Sequence, residues 1–266
     1  MLDVCLLGCG GMMPLPYRWL TSLMVRYNGS TVLIDCGEGT QQRIRQEHLS
    51  FVKIQAVFIS HLHGDHVFGL FGLLSTMSLY HRLEPLRIYG PESLGPVLDF
   101  FRSSFGLDLG FEMEFTPLSC SGPEEIYADG IIRVTAFPLN HKVPCFGYLC
   151  REDVGLRRNP WKPRSYAYCS DTAPFPELAS WVSGVDILYH EATYPQDYAA
   201  KAQQYFHSTT LDAARCAAEA KAGKLLIGHY SSRVRDISIF QEEARTIFPE
   251  TVAANDGDIF EIPLER

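Results

Sequence analysis

The stretch "SHLHGDHVFGL", residues 60 to 70, places three histidines and one aspartate within six consecutive positions, directly after an apolar run. Polar groups set against a hydrophobic core are costly unless they are paired or bind something. His61 and His63, two residues apart on a turn, can point at one metal ion, and Asp65 and His66 can address a second. Neutral imidazole and carboxylate are ordinary zinc ligands. The stretch therefore predicts a metal site at the end of a buried strand.

The composition is that of an ordinary globular protein, because 46% of the 266 residues are hydrophobic and 20% are charged. We expect a single domain over residues 1–266. The net charge of -8 argues against diffuse binding of nucleic acid and leaves room for a local basic patch. The first residues lack a basic leader and no apolar stretch reaches about 20 residues, so neither a signal peptide nor a membrane span is expected. The eight cysteines form no Cys-x-x-Cys pair, which favours reduced thiols and a cytoplasmic location.

Short apolar runs alternate with helical patterns along the chain, which predicts an α/β fold. The clearest helix is expected over 210–223, with Thr209 or Thr210 as the N-cap and Gly223 as the C-terminal stop. A second helix is expected over 237–248. The runs that predict buried strands lie at 3–9, 31–37, 56–60, 86–90, 131–137, 145–150, 166–170, 186–193 and 224–229.

Histidines and acidic residues follow these predicted strands. Because ligands of α/β sheets gather at the carboxyl ends of strands, we expect these side chains to lie together. A lone histidine at such a place is more often a structural residue, and His48 and His81, which have no partners in sequence, are interpreted so. The residues that follow strands are Asp35, His61, His63, Asp65, His66, His141, Asp171, His190, Glu191 and His229.

The pattern His-x-His-x-Asp-His after a strand resembles the signature of the metallo-β-lactamase superfamily, whose fold is a four-layer αβ/βα sandwich. The resemblance implies two Zn²⁺ ions, with Mn²⁺ as an alternative metal. Later ligands of the superfamily match "YCSDT" around residue 171 and "IGHYSSR" from residue 227. On this basis His61, His63 and His141 hold one metal. The resemblance assigns the second to Asp65, His66 and His229, with Asp171 bridging both.

The stretches "HEAT" at 190–193 and "HST" at 207–209 resemble motifs of the ribonuclease Z family, as do "PLNHKVPCFGY" at 138–148 and "GEGTQQRIRQ" at 37–46. The resemblance implies a zinc-dependent phosphodiesterase that cleaves precursor tRNA after the discriminator base, and a homodimer.

In this mechanism water activated by two metals attacks the phosphorus and Asp65 accepts its proton. Glu191 orients His207 and raises its pKa, and His207 protonates the leaving oxygen. The alternatives are a surface salt bridge for Glu191 and a position beside a helix N-cap for His207. Ser208, Thr209 and Arg233 are candidate substrate contacts.

Two segments depart from the ribonuclease Z pattern. The stretch "PLPYRW" at 14–19 keeps a proline and an arginine but lacks the family's lysine and asparagine. The segment "REDVGLRRNPWKPR" at 151–164 stands where the family carries a long arm that grips tRNA. It is locally basic, and Arg157, Arg158 and Lys162 could contact phosphates while Trp161 stacks on a base.

The same basic segment could also be a solvated loop. A phosphodiesterase for small or cyclic nucleotides or related phosphate diesters is therefore the alternative function. A non-catalytic metal-binding module is a third.

Overall fold

The computed structural model describes residues 2–105, 108–153 and 161–265. They form two compact units, each with its own seven-stranded sheet. The N-terminal unit comprises Asp3–Ser119 and Asn255–Phe260. The C-terminal unit comprises Cys120–Ala254 together with Met1–Leu2 and Glu261–Arg266. Within the described ranges, no helix has both the length and the apolar character needed to cross a bilayer.

The sheet of the N-terminal unit combines an antiparallel hairpin with a parallel half. Residues Asn28 and Gly29 connect the hairpin strands with φ values of 49° and 89°, as a two-residue type I′ turn requires. The strands are β1 (Leu2–Gly8), β2 (Ser22–Tyr27), β3 (Ser30–Ile34), β4 (Ile54–Phe58), β5 (Leu86–Pro91), β6 (Met113–Leu118) and β14 (Ile259–Glu261). Their order is β14-β1-β2-β3-β4-β5-β6, and β3 to β6 run parallel. The helices are α1 (Thr40–Gln46), α2 (Gly64–Val67), α3 (Gly69–Leu79) and α4 (Leu94–Ser104).

The loop after β3 packs directly against the histidine-rich loop after β4. The main-chain N–H of Cys36 donates to the carbonyl of His66 at 2.7 Å, and that of Gly69 donates back to Cys36 at 2.9 Å. A Cβ atom at Gly37 would lie 2.4 Å from the carbonyl oxygen of Asp65, so only glycine fits there. The two loops therefore form one rigid edge, on which the side chains of both strand ends are held.

The C-terminal unit contains an antiparallel meander that continues into a parallel half. The strands are β7 (Glu124–Ala128), β8 (Ile132–Pro138), β9 (Phe146–Glu152), β10 (Ser165–Cys169), β11 (Ile187–Glu191), β12 (Lys224–Gly228) and β13 (Thr251–Ala253). They are ordered β13-β12-β11-β10-β9-β8-β7, and β10 to β13 run parallel. The helices are α5 (Leu178–Trp181), α6 (Ala199–Tyr205), α7 (Thr210–Ala220) and α8 (Ser238–Arg245). Because Cys169 pairs with His190 and Glu191 with Gly228, β10, β11 and β12 end at the same edge.

Each strand predicted from the sequence is present, with its ends displaced by a few residues. The start of α7 is also as predicted, since Thr209 caps it in a reciprocal pair of hydrogen bonds with Asp212. The predicted stop at Gly223 is wrong. The helix ends at Ala220, and Lys221 adopts the left-handed conformation, with φ 53°, that closes it.

Candidate active site

In the N-terminal unit, Asp35 fixes the orientation of His66. Its Oδ2 lies 2.7 Å from Nδ1 of His66, and both side chains are buried. A carboxylate oxygen accepts, so Nδ1 carries the proton, and the lone pair of Nε2 faces Oδ2 of Asp65 at 3.6 Å. Asp35 has φ 55°, in the left-handed region that aspartate tolerates better than most residues. His66 is thus prepared as a metal ligand through Nε2.

Ser60 fixes the orientation of His61. Its hydroxyl donates to Oδ2 of Asp35 at 2.8 Å, so it accepts from Nδ1 of His61 at 3.0 Å. Nε2 of His61 then lies 3.0 Å from Nδ1 of His63. Two ring nitrogens that converge in this way suit one shared metal ion. The hydrogen bonds to Asp35 and Ser60 supply the orientation that metal-binding histidines ordinarily receive from neighbouring oxygens.

The N-terminal loop supplies a main-chain donor to Asp65. The N–H of Met12 donates to Oδ2 of Asp65 at 2.5 Å. Both ends of this loop are held by Asp256, which accepts from the N–H of Cys9 at 2.9 Å and from that of Trp19 at 2.8 Å. The segment at 14–19 therefore belongs to a loop that is anchored at both ends and bonded to the histidine-rich stretch.

In the C-terminal unit, Asp171 lies between two histidines. Nδ1 of His141 donates to the carbonyl of Phe206 at 3.0 Å, and Nδ1 of His229 lies 2.8 Å from the hydroxyl of Thr193. Their Nε2 atoms face the two carboxylate oxygens of Asp171, at 3.9 Å for His141 and 3.2 Å for His229. A carboxylate placed between two imidazoles in this manner is suited to bridge cations.

Glu191 is fully buried and surrounded by donors. Its Oε1 accepts from the N–H groups of Thr172 and Ser208 at 3.1 and 3.0 Å, and its Oε2 accepts from the N–H and the hydroxyl of Thr193 at 2.9 and 2.8 Å. Burial alone would raise the pKa of this carboxyl group, but the neighbouring His207 offsets it, and the pKa is lowered. Glu191 is therefore an ionised carboxylate in the protein interior, and a surface salt bridge is the wrong description of it.

His207 is the partner of this carboxylate. Its Nδ1 lies 2.9 Å from Oε1 of Glu191 and 3.9 Å from Oδ2 of Asp171, and the residue is 6% exposed. Because Glu191 accepts, Nδ1 of His207 is protonated and its Nε2 faces away from the carboxylate. The predicted pair thus exists as a buried, oriented unit, at the edge where Asp171 and His229 also lie.

The donor atoms of the C-terminal unit fit a divalent metal ion. Nitrogen and oxygen atoms of Asp171, His207 and His229 lie within 4.8 Å of one another, and all three residues are buried. Because Nδ1 of His207 is bonded to Glu191, Asp171 and His229 are the better ligands of the three. Imidazole together with carboxylate is a ligand set that Zn²⁺ and neighbouring divalent metals accept.

Of the three candidate substrate contacts Ser208, Thr209 and Arg233, two are buried and one is exposed. Ser208 is buried and its hydroxyl donates to the carbonyl of Thr172 at 2.7 Å, while Thr209 caps α7. Both hydroxyls are therefore engaged inside the protein. Arg233 is exposed, two residues beyond the buried Ser231.

The basic segment is only partly described. Arg157 and Arg158 lie outside the described residues. Lys162 is ion-paired, with its Nζ 2.8 Å from Oδ1 of Asp186. The interpretation of the segment as a solvated loop is wrong for Arg164, which is buried and paired with Glu152 at 2.6 Å. Of the three proposed phosphate contacts, the described one is thus already partly neutralised.

Several supporting residues are not recognised from the sequence as part of the site. They are Ser60, Thr193, Met12 and the carbonyl of Phe206, whose contacts are given above, and Asp35, which the sequence placed only at a strand end. Thr193 is the last residue of "HEAT" and Ser60 the first of the histidine stretch. Their position next to motif residues is the sequence signal that could have identified them. His48 and His81 are exposed, and among the described residues neither belongs to a group of potential metal ligands.

Comparison with known proteins identifies the class. A family model described as "Beta-lactamase superfamily domain" matches residues 30–230. The proteins named Ribonuclease Z of Bacteroides fragilis and Porphyromonas gingivalis are each 35% identical to this chain, and each match covers 96% of this chain and 97% of the relative. The crystal structure of human tRNase Z, short form, is 30% identical, with a TM-score of 0.85 over 98% of this chain and 99% of that one.

The fold is therefore that of the metallo-β-lactamase superfamily, the α/β sandwich class predicted from the sequence. Within it, the chain belongs to the ribonuclease Z family. It is accordingly a hydrolase of the metal-dependent endoribonuclease type, which excludes the non-catalytic metal-binding module.

Proposed function

We propose that this protein cleaves a phosphodiester bond of precursor tRNA to release the 3′ trailer. The observation that carries the proposal is the buried Glu191–His207 pair, which lies at the same sheet edge as Asp171 and His229. A general acid beside metal ligands is needed when the leaving group is a poor one, such as a ribose 3′-oxygen. The relatives named Ribonuclease Z, which match nearly the whole chain, support this substrate.

We propose the ligand set that the family resemblance implies, with residues 1–266 acting as one catalytic domain. His61, His63 and His141 would hold one Zn²⁺ ion, Asp65, His66 and His229 a second, and Asp171 would bridge them. The arrangement within each unit supports this set, because the predicted histidines described above each present a ring nitrogen toward another predicted ligand. When bound, the metals would polarise the phosphoryl oxygens and acidify water.

The chain's own residues would manage the protons. Asp65, held by the N–H of Met12, would orient the attacking water and accept its proton. His207, whose Nδ1 is bonded to Glu191, would hold a proton on Nε2 and deliver it to the leaving oxygen. General acid catalysis of this kind contributes about 10²–10⁴-fold to a rate.

The proposal extends to the residues that contact the substrate, to the oligomeric state and to the location of the protein. Arg157 and Arg158 in the basic segment, and the exposed Arg233, are the proposed phosphate contacts, with Lys162 a weaker one because it pairs with Asp186. A homodimer is proposed from the family resemblance. A cytoplasmic location is supported by the state of the eight cysteines, all of them described, which are thiols and are buried or half-buried.

The decisive experiment is incubation of the zinc-loaded protein with a precursor tRNA labelled at its 5′ end, with the product mapped to the nucleotide. A single cut after the discriminator base is expected. Bis-p-nitrophenyl phosphate is the control substrate, because it needs the metals but no RNA contact. Hydrolysis of this small diester without any cut in the RNA would favour the alternative, a phosphodiesterase for small or cyclic nucleotides or related phosphate diesters.

A further inference from the structure

A cleft of about 300 Å³ lies in the C-terminal unit, on the other side of β11 from Glu191. Successive residues of a strand point to opposite faces, so His190 lines this cleft while Glu191 faces the proposed active site. The segment Pro174–Ala179 forms one wall and α7 the other. Ser208 and His190, exposed by 0% and 1%, are its most deeply buried polar lining residues.

His190 presents a hydrogen-bond acceptor to this cleft. Its Nδ1 lies 2.7 Å from the carbonyl oxygen of Glu191, and a carbonyl only accepts, so Nδ1 carries the proton. Burial lowers the pKa of His190, which keeps the ring neutral. Nε2 therefore carries a lone pair, and within the described residues no protein group donates to it. Because His190 lines the cleft, a donor on a molecule bound there can reach this acceptor.

The walls restrict what the donor can belong to. Pro174, Phe175 and Leu178 provide an apolar wall, and the opposite wall includes the thiol of Cys216, whose pKa burial raises to about 12, so that it is uncharged. Three charged side chains line the cleft, the half-buried Asp212 and the exposed Arg215 and Glu219. Asp212 and Arg215 are paired at 3.2 Å. A flat apolar body that carries a single N–H or O–H group matches these features.

We propose that this cleft binds a small, uncharged aromatic molecule whose one hydrogen-bond donor contacts Nε2 of His190. Both buried polar residues of the cleft are also bonded to Glu191, His190 to its carbonyl and Ser208 through a main-chain N–H to its Oε1. The occupant therefore contacts two residues that hold the carboxylate partner of His207. Binding itself requires neither metal nor RNA, so it stands apart from the proposed function.

The test compares indole with benzofuran, which has the same shape but an oxygen in place of the N–H group. Each is titrated into the full-length, zinc-loaded protein and followed by calorimetry and by the ¹⁵N resonance of the imidazole of His190. Indole is expected to bind about two- to tenfold more tightly, the effect of one hydrogen bond, and to shift the Nε2 resonance. Benzofuran should leave that resonance in place. Equal affinities, or no binding of indole up to its solubility limit, would overturn the proposal.

Two variants locate the site. Cys216→Trp on α7 and Ala179→Trp on the opposite wall each fill the cleft from a half-buried position, and each should abolish binding of both compounds. Ala218→Trp is the matched control, because Ala218 is exposed on the same helix and does not line the cleft. Indole binding that survives both cleft variants would place the compound elsewhere and refute the assignment.

Discussion

The hydroxyl of Thr193 lies 2.8 Å from Nδ1 of His229 and 2.8 Å from Oε2 of Glu191. A hydroxyl has one proton, and a carboxylate can only accept, so Thr193 donates to Glu191 and accepts from His229. This places the proton of His229 on Nδ1 and directs its Nε2 to Asp171. One side chain thus connects the acid–carboxylate pair to a proposed metal ligand.

Replacing Thr193 with valine should therefore affect both. The variant keeps the shape but leaves Nδ1 of His229 and Oε2 of Glu191 short of a partner in the interior. We expect a 10–100-fold weaker affinity for zinc, measured by competition with a chelator. We also expect about 1–3 kcal/mol lower stability in urea. Thr193→Ser, which retains the hydroxyl, is the control and should restore most of the affinity. An unchanged zinc affinity in the valine variant would refute the role given to this hydroxyl.

Removal of a proposed ligand should lower metal content. His63→Ala and His229→Asn should each reduce the zinc bound, measured by mass spectrometry of the metal, and abolish hydrolysis of bis-p-nitrophenyl phosphate. Asparagine is chosen at 229 because that residue has φ 62°, which asparagine tolerates. His81→Asn is the matched control, since His81 is exposed with φ 54°. Full zinc content and full activity in both ligand variants would exclude the two-metal assignment.

The role of His207 predicts a dependence on the leaving group. His207→Ala should retain zinc and lose about 10²–10⁴-fold in rate on a diester that releases an alkoxide. It should lose far less on one that releases nitrophenolate, which departs without a proton. Glu191→Gln should show the same asymmetry, because it removes the charge that holds His207. It should also lower stability, since its amide NH₂ group would face the donors that surround Glu191. Equal losses on the two substrates would mean that His207 binds phosphate or shapes its loop.

His190 should make the protein sensitive to acid. Burial lowers the pKa of its ring in the folded protein, although the nearby Glu191 and Asp212 counteract part of this effect. Above the ordinary histidine value of about 6.5, both the folded and the unfolded states hold a neutral ring. Below it the unfolded state binds a proton that the folded state does not, so stability falls as the pH falls.

The variant His190→Gln removes this titration. The free energy of unfolding of the wild type minus that of the variant should therefore decrease from pH 7 to pH 5. The decrease should be at most about 1.4 kcal/mol for each pH unit. Urea denaturation at both pH values, with the same zinc concentration for both proteins, measures it. A difference that does not vary with pH would show that the ring is protonated in the folded protein as readily as in the unfolded one.

RNA contacts by the basic segment should appear in the salt dependence of binding. Each phosphate contact contributes roughly 0.7–0.9 to the log–log slope of affinity against salt. Arg157→Ser with Arg158→Ser should flatten the slope for precursor tRNA by roughly 1.5 and leave small-diester turnover nearly unchanged. Adding Lys162→Ser should do less than a full contact, because Lys162 is paired with Asp186.

The control for this double variant is Arg45→Ser with Arg102→Ser, two exposed arginines of the N-terminal unit that remove the same charge. A slope that is the same in both double variants would show that the basic segment does not contact RNA. The small-diester enzyme would then be the better description of the protein.

The sequence by itself determined the α/β class, nine of the strands, the start of α7 and the identity of the proposed metal ligands. Most of these follow from short-range patterns: apolar runs, capping residues and a histidine cluster confined to one loop. The later ligands His141, Asp171 and His229 follow from the resemblance of their surroundings to superfamily motifs. Five strands were not predicted. One of them, β2, is almost entirely buried and was missed in spite of its apolar residues, whereas the other four carry weaker patterns. Most side chains of β6 and β7 are exposed or half-buried, and β13 and β14 are three residues long.

Only the tertiary structure decided which residues hold the site in place. Asp35 reaches Ser60 across 25 positions, Thr193 reaches His229 across 36, and Asp256 reaches Cys9 across 247. It also decided that Arg164 is buried against Glu152, whereas the described Arg151 and Lys162 of the same segment are exposed. Hydrogen-bond partners so far apart meet only when the strands have taken their register, and a local pattern carries no information about that register.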